Sequence, residues 1–247
     1  MGKESGLGAA YFVDGYDLSG DSREFGTISK SMSPLEVPGI DARSMERVYG
    51  KLDGLISWTS YFNPSNNQAH AVLSAPPRAD RVASYFHRQT LGVPVANMVS
   101  KQRNYDPKRD DAGNLHMSVE ALANDYWLDW GFALTAGIRS DTGATNGTAV
   151  DFLAANSFGL QAYLHVFAFT GTSATIKLQM DDNSGFSSAT DVTGGSFTAV
   201  SSARQGQALY TTRALAIERY LRVVTTGTFS ALSFAVGCTV NTTDMTI

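Results

Sequence analysis

The sequence predicts a mainly β protein of α+β character: a β-sandwich or barrel domain with one flanking helix, followed by an all-β sandwich domain. Three observations carry this. Short alternating apolar–polar runs recur between turn-forming residues. One stretch, Pro76 to Gly92, has helical spacing instead. The composition also changes abruptly near Ser140–Gly147. Residues 1–143 hold 14 Lys/Arg and 17 Asp/Glu, whereas residues 144–247 hold only 5 and 6 but carry 27 Ser/Thr. The run Ser140-Asp141-Thr142-Gly143-Ala144-Thr145-Asn146-Gly147 is small and polar, so it reads as a linker between domains 1–143 and 144–247.

Within the first unit, Leu7 to Leu18 alternates as one strand. Asp21 to Pro38 is long and polar, suited to a loop that orders on contact with a partner. A Gly50-Lys51-Leu52-Asp53-Gly54 turn then opens onto the strand Leu55 to Phe62. Its alternation places Ile56 and Trp58 toward a core and the more polar Ser57 and Thr59 on the other face. The helix expected over 76–92 tolerates Pro76 and Pro77 in its first turn, spaces Val82, Tyr85, Phe86 and Gln89, and stops at Gly92. Val93 to Val99 reads as a strand, Asn104 to Asn114 as a polar loop and Leu115 to Ala123 as a hairpin partner. Asp125 to Gly131 closes the unit as a strand or turn.

In the second unit, Thr175 to Met180, Arg219 to Thr226 and Leu232 to Gly237 alternate as strands. Gln161 to Thr170 is apolar on nearly both faces, as a central strand would be. Turns are expected at Asp182–Gly185, Thr193–Gly195 and Thr226–Thr228.

Chemical signatures are sparse. The carboxylates Asp14, Asp17 and Asp21 lack the spacing of a calcium loop and read as an exposed turn, as does Asp181-Asp182-Asn183-Ser184-Gly185. His70, His87, His116 and His165 form no zinc-binding pattern, and no nucleophile elbow or phosphate loop occurs. No catalytic, cofactor or metal residue is therefore assigned. Cys238, the single cysteine, reads as a small buried residue. Tyr126, Trp127 and Trp130 suit packing better than sugar stacking. The cations Lys101, Arg103, Lys108 and Arg109 are balanced by Asp106, Asp110 and Asp111, and the net charge of −4 argues against a nucleic-acid binder. The first residues carry no apolar leader, and no run is long enough to span a bilayer, so cytoplasmic synthesis without membrane association is expected.

The stretch Gly39 to Asn63, with its Gly-x-x-x-Gly turn and alternating strand, resembles the core hairpin of major tail tube proteins of long-tailed, siphovirus-type phages. The resemblance covers residues 7 to 138. It implies a structural, non-enzymatic subunit that forms hexameric rings stacked into a tube within the virion tail. The tube would enclose the tape measure protein, meet tail terminator and distal tail proteins, and later pass DNA without binding it specifically. Ser57 and Thr59 would face the lumen, and Asp21, Ser22, Arg23, Glu24, Lys30 and Met32 would contact the next ring. The sandwich at 144–247 would be an outer appendage. The alternatives are a glycan- or surface-binding sandwich protein and a capsid decoration protein.

Overall fold

The computed structural model describes residues 5–75 and 79–243. Within them lie fifteen strands, all antiparallel, and one short helix. In chain order the first half holds β1 (Ala10–Val13), β2 (Tyr16–Asp17), β3 (Ser22–Glu36), β4 (Arg47–Tyr61), α1 (Ala69–Leu73), β5 (Arg81–Phe86), β6 (Pro94–Arg109), β7 (Leu115–Ala123) and β8 (Asp129–Ala133). The second half adds β9 (Arg139–Asp141), β10 (Thr145–Asn146), β11 (Val150–Asp151), β12 (Leu160–Asp181), β13 (Thr190–Ser196), β14 (Gln205–Tyr210) and β15 (Tyr220–Val240).

The long strand β6 organises the first half. Its start pairs with β5, and its end pairs with β7. Two sheets thus share one strand: β2-β1-β5-β6 and β6-β7-β4-β3. Between them a core forms from Tyr11, Ile56, Trp58, Met98, Val119 and Leu128, and α1 adds Val72 and Leu73.

The second half is built on a ribbon of β12 and β15, paired along almost their full lengths. The ribbon bends at register shifts around Val166–Ser173, where Gly171 packs against the Phe229 backbone. Because of this bend, Leu160 and Leu164 from one arm of the ribbon share a core with Ile176 and Leu178 from the other. The chain closes over its own strand pair.

A third cluster joins the halves. Phe12 touches Phe86 and Phe167, with ring centroids 5.1 and 4.9 Å apart. This explains the two-sided apolarity of β12: Leu160, Ala162 and Leu164 face their own core, whereas Tyr163, His165 and Phe167 face the first half. The Asp14-Gly15 turn joining β1 to β2 has φ values of 46° and 73°, as a two-residue hairpin of the twist-matched type requires. A Cβ on Gly15 would lie 2.1 Å from the Val166 carbonyl, so the turn is seated directly on β12.

Several expectations are corrected. Residues 81–86, expected to be helical, form the central strand β5, and Pro76 and Pro77 lie outside the described residues. Both faces of β5 are largely buried, Ala83 in the first-half core and Phe86 in the cluster that joins the halves, which removes the alternation that marks a half-buried strand. The flanking helix is α1 instead. The Asp21–Pro38 loop is strand β3, and Gly50–Gly54 lies within its partner β4 rather than in a turn. Leu7–Leu18 is split by Asp14-Gly15, and the 104–114 loop shrinks to a turn after Arg109. Thr193–Gly195 and Thr226–Thr228 are irregular stretches within β13 and β15. The 140–147 run, read as a linker, is tied to β15 on both sides of its centre: Asp141 pairs with Leu232 and Thr145 with Thr225. Arg139 grips Asp141 through two 2.8 Å bonds, and the Thr225 hydroxyl donates to the same carboxylate. Small polar residues with these partners make a bound edge.

His165 locks the seam between the halves. The Gly15 N–H donates to Nδ1, leaving the proton on Nε2 to donate to Ser84 Oγ at 2.8 Å, and Ser84 in turn donates to Asn97. Burial pushes the imidazole down to about 3 from an ordinary 6.5, because charging it there forfeits its hydration. An unfolded chain binds a proton at His165 below about 6.5 while the folded chain does not. The stability contribution is therefore complete above that pH and is lost as pH falls toward 3. Denaturant melts at pH 7 and 4.5 should show this loss, on the order of a few kcal/mol, and His165→Gln should flatten it. Equal pH slopes in the two proteins would contradict the assignment.

Candidate assembly surface

Strands β3, β4, β7 and β6 form a four-stranded sheet with two chemically different faces. On β4, Ile56 and Trp58 are 0% and 3% exposed, whereas Ser57 and Thr59 are half-buried on the opposite side. The facing read from the β4 alternation is thus the one observed. Met117, Val119 and Ala121 of β7 share the core side. On the other side, Ser57 lies between Thr27 and Glu120, and Thr59 between Glu24 and Ser118. Asp106 continues the row beside Ser118, and Arg103 pairs with Glu120 at 3.3 Å. This face is polar and mixed in charge: Glu24, Asp106 and Glu120 share it with Arg103 and, by register, with Lys101 and Lys108.

The sheet also has two open borders. Among the described residues, no strand pairs with the outer edge of β3, and β6 beyond Ser100 pairs only with β7. Unpaired ladder groups along a long strand are a template for another chain. Bulges at three points of β3, one at Met32/Pro34, fit a border strand that must also accommodate a proline.

Beyond the sheet, the ends of β3 and β4 project as a two-stranded arm with little packed against it. Met32, Leu35, Val37, Met45, Val48 and Tyr49 are all exposed there, and Ile40 at the tip is fully so. Such a concentration of exposed apolar side chains on one projection marks an interaction surface.

The start of β3, at the far end of the strand from the arm, is anchored to the body. Asp21 is buried, and its carboxylate accepts hydrogen bonds from the Ala69 N–H at 2.8 Å and the Asn63 amide at 2.9 Å. The Tyr61 N–H and Ser60 hydroxyl both donate to its backbone carbonyl. Arg23 reaches His116 Nε2 at 2.7 Å, and Asp110 Oδ2 lies 3.0 Å from the same nitrogen. Bonds from Asn114, followed by His116, hold the Asp110 carboxyl well below the usual range.

The residues expected at a ring contact are thereby separated. Asp21 sits inside the anchor. Ser22 donates to the Leu18 carbonyl, and Arg23 turns toward His116. Glu24 lies on the polar face beside Thr59. Lys30 faces the body, 3.4 Å from Asp129 and over the Trp127 ring. Of the six, Met32 alone belongs to the exposed arm. The exposed residues from Leu35 to Tyr49 were missed because a projecting ribbon buries neither face, so no alternation marks it. The density of apolar residues within a charged segment was the available signal.

Other candidate groups are dispersed. Asp14 accepts from the Val82 N–H, Asp17 from Ser19 and Asp21 from Ala69, so these carboxylates serve separate turns. Asp181 closes its own turn through Asn183 and Ser188. Among the described residues, no three His, Cys, Asp or Glu side chains are grouped to hold a metal ion, and no helix is long and apolar enough to cross a membrane. Burial pushes the Cys238 thiol up and holds it neutral. Trp127 is buried and stacked on Tyr126, but Trp130 stands 46% exposed, away from the packing role expected for it.

No family model and no curated protein matches the chain. Two solved structures are similar in part. One is from the tail of an empty GTA particle, determined by helical refinement with C6 symmetry; it is 11% identical and covers 53% of this chain and 98% of its own, with a TM-score of 0.38. The other is the SPP1 Dit protein, described as a paradigm of the hub adsorption apparatus in phages infecting Gram-positive hosts; it is 9% identical and covers 94% of this chain and 99% of its own, with a TM-score of 0.33.

The two faces of β4 should respond differently to substitution. Trp58→Ala empties a buried site shared with Tyr11 and should cost about 3–5 kcal/mol. Ser57→Lys places a cation beside Glu120 on the polar face and should change stability by less than about 0.5 kcal/mol. Denaturant melts compare the two directly. A neutral Trp58→Ala beside an unfolded Ser57→Lys would reverse the facing.

Proposed function

We propose that the chain is a structural subunit of a phage tail, and specifically of the tail tube. The observation that carries this is the β3-β4-β7-β6 sheet: one face on the core, one polar face, and an open strand at each border. Placing the β3 edge of one copy beside the β6 edge of the next satisfies both. Repeating the step around an axis closes a barrel without borders. By the sequence resemblance the ring is hexameric; of the residues it assigns to the ring contact Met32 lies on the exposed arm, and the arm is the surface through which rings stack in this proposal. The tube occupies the virion tail, surrounds the tape measure protein, ends at terminator and distal tail proteins, and later conducts DNA.

The polar face then lines the lumen, with Ser57 and Thr59 near its middle. Phosphate contacts from Lys or Arg would retard a passing polyanion, so a wall on which Glu24, Asp106 and Glu120 offset Lys101, Arg103 and Lys108 suits passage without strong binding. The division into 1–143 and 144–247 assigns the tube sheet to the first unit. The β12–β15 sandwich becomes an outward appendage, held in fixed orientation by the Phe12 and His165 seam.

Shortening the arm tests assembly apart from folding. Residues 33–51 are replaced by Asn-Gly, which joins the paired Met32 and Leu52 through a two-residue turn. Negative-stain imaging of the parent protein should show rings or tubes. The shortened protein should keep the parent's thermal midpoint within a few degrees and form no long tubes. Tubes of normal length from it, or a parent that remains monomeric under all assembly conditions, would refute the proposal.

A further inference from the structure

A cavity of about 420 Å³ lies where β8 meets the end of β15, within the size range of small-ligand sites. Its lining is mixed. Trp130 and Leu153 are exposed, at 46% and 73%, and Phe152 backs them. Leu153 has φ of 71°, a left-handed backbone that a branched apolar residue rarely adopts, with its N–H held by Asp151. The fold thus keeps an apolar side chain exposed at the cavity against its local preference.

The polar side is the buried Asp129 with Lys30. Oδ1 of Asp129 accepts from the Trp127 indole N–H at 2.7 Å and from Lys30 at 3.4 Å. Among the described residues, Oδ2 has the Tyr163 hydroxyl alone as a side-chain partner, 3.4 Å away. A carboxylate oxygen accepts two or more hydrogen bonds, so Oδ2 retains acceptor capacity. The Asn156 amide also lines the cavity.

We propose that this cavity binds a neutral saccharide unit, such as the terminal hexose of a glycan. The Lys30–Asp129 pair leaves the polar side near zero net charge. A cationic ligand would compete with Lys30 for the carboxylate, and an anionic one would compete with Asp129 for the ammonium of Lys30. A purely apolar ligand would leave Oδ2 and the amide dry and unpaired. A hexose avoids all three costs: its C–H face stacks on the Trp130 ring while its hydroxyls donate to Asp129 Oδ2 and bond to Asn156. This site is independent of ring formation and of the tube reading.

The test uses the full chain with free glucose, galactose, mannose and N-acetylglucosamine as probes, and glucuronate and glucosamine as charged controls. Saturation-transfer NMR and tryptophan-fluorescence titration read binding. At least one neutral sugar should bind saturably, and Trp130→Ala should raise its Kd tenfold or more without shifting the thermal midpoint. Asp129→Asn tests the carboxylate, and Trp130→Ala keeps the test decisive if Asp129→Asn fails to fold. Failure of every neutral probe to saturate, undiminished binding by Trp130→Ala, or tighter binding of a charged control would overturn the proposal.

Discussion

Every backbone N–H and C=O removed from water must find a partner, and an antiparallel sheet meets this demand everywhere except at its two borders. The arrangement of this chain follows from how that demand is handled. In the second half, β12 and β15 pair over their whole length, and the short strands β9, β10, β11, β13 and β14 cover both flanks. In the first half, β6 changes partners midway, from β5 to β7. That change encloses a core, but it leaves β3 and the far part of β6 as open borders. The polar face, the projecting arm and the proposed ring all depend on those two strands.

The second half is more than a passenger on this arrangement. Its strand β12 buries both faces, one in its own core and one against Phe12 and Phe86. The Gly15 turn fits against Val166 only because no Cβ intervenes, and His165 spans the contact with both ring nitrogens bonded. A histidine held neutral by burial is costly to charge, so the seam has a defined chemistry as well as a shape. Movement of one half against the other would expose Phe12 and break a buried hydrogen-bond chain. The seam therefore couples the sheet borders of the first half to the fold of the second.

Half-buried strands were legible in the sequence because each has one wet and one dry face. Leu55–Phe62 announces its facing by alternation, and Leu115–Ala123 is bounded by a polar turn at one end and a change of chain direction at the other. The apolar run at Gln161–Thr170 revealed a two-sided strand, although what covered each side was invisible. Arg81–Phe86 failed for the same physical reason: with both faces covered, the spacing of Val82, Tyr85 and Phe86 matched a helix by accident. Ser22–Glu36 failed in the opposite sense: its far half is an arm in solvent that buries neither face, and its near half has only Phe25 and Ile28 against the core to mark a facing. The 140–147 run shows that composition alone cannot separate a linker from an edge, because Thr, Ser and Asp serve both. Lys30 and Asp129, 99 positions apart, had no local signal at all; the fold brings them together.

The central claim is that the borders of β3 and β6 are completed by neighbouring copies. Amide hydrogen exchange, resolved by residue in the soluble subunit and in assembled material, measures this directly. The account predicts that outward-pointing amides of Ser22–Met32 and Lys101–Arg109 exchange quickly in the subunit and become strongly protected together on assembly, while amides of β12 and β15 are protected in both states. Assembled material in which both border strands still exchange as fast as in the free subunit would contradict it.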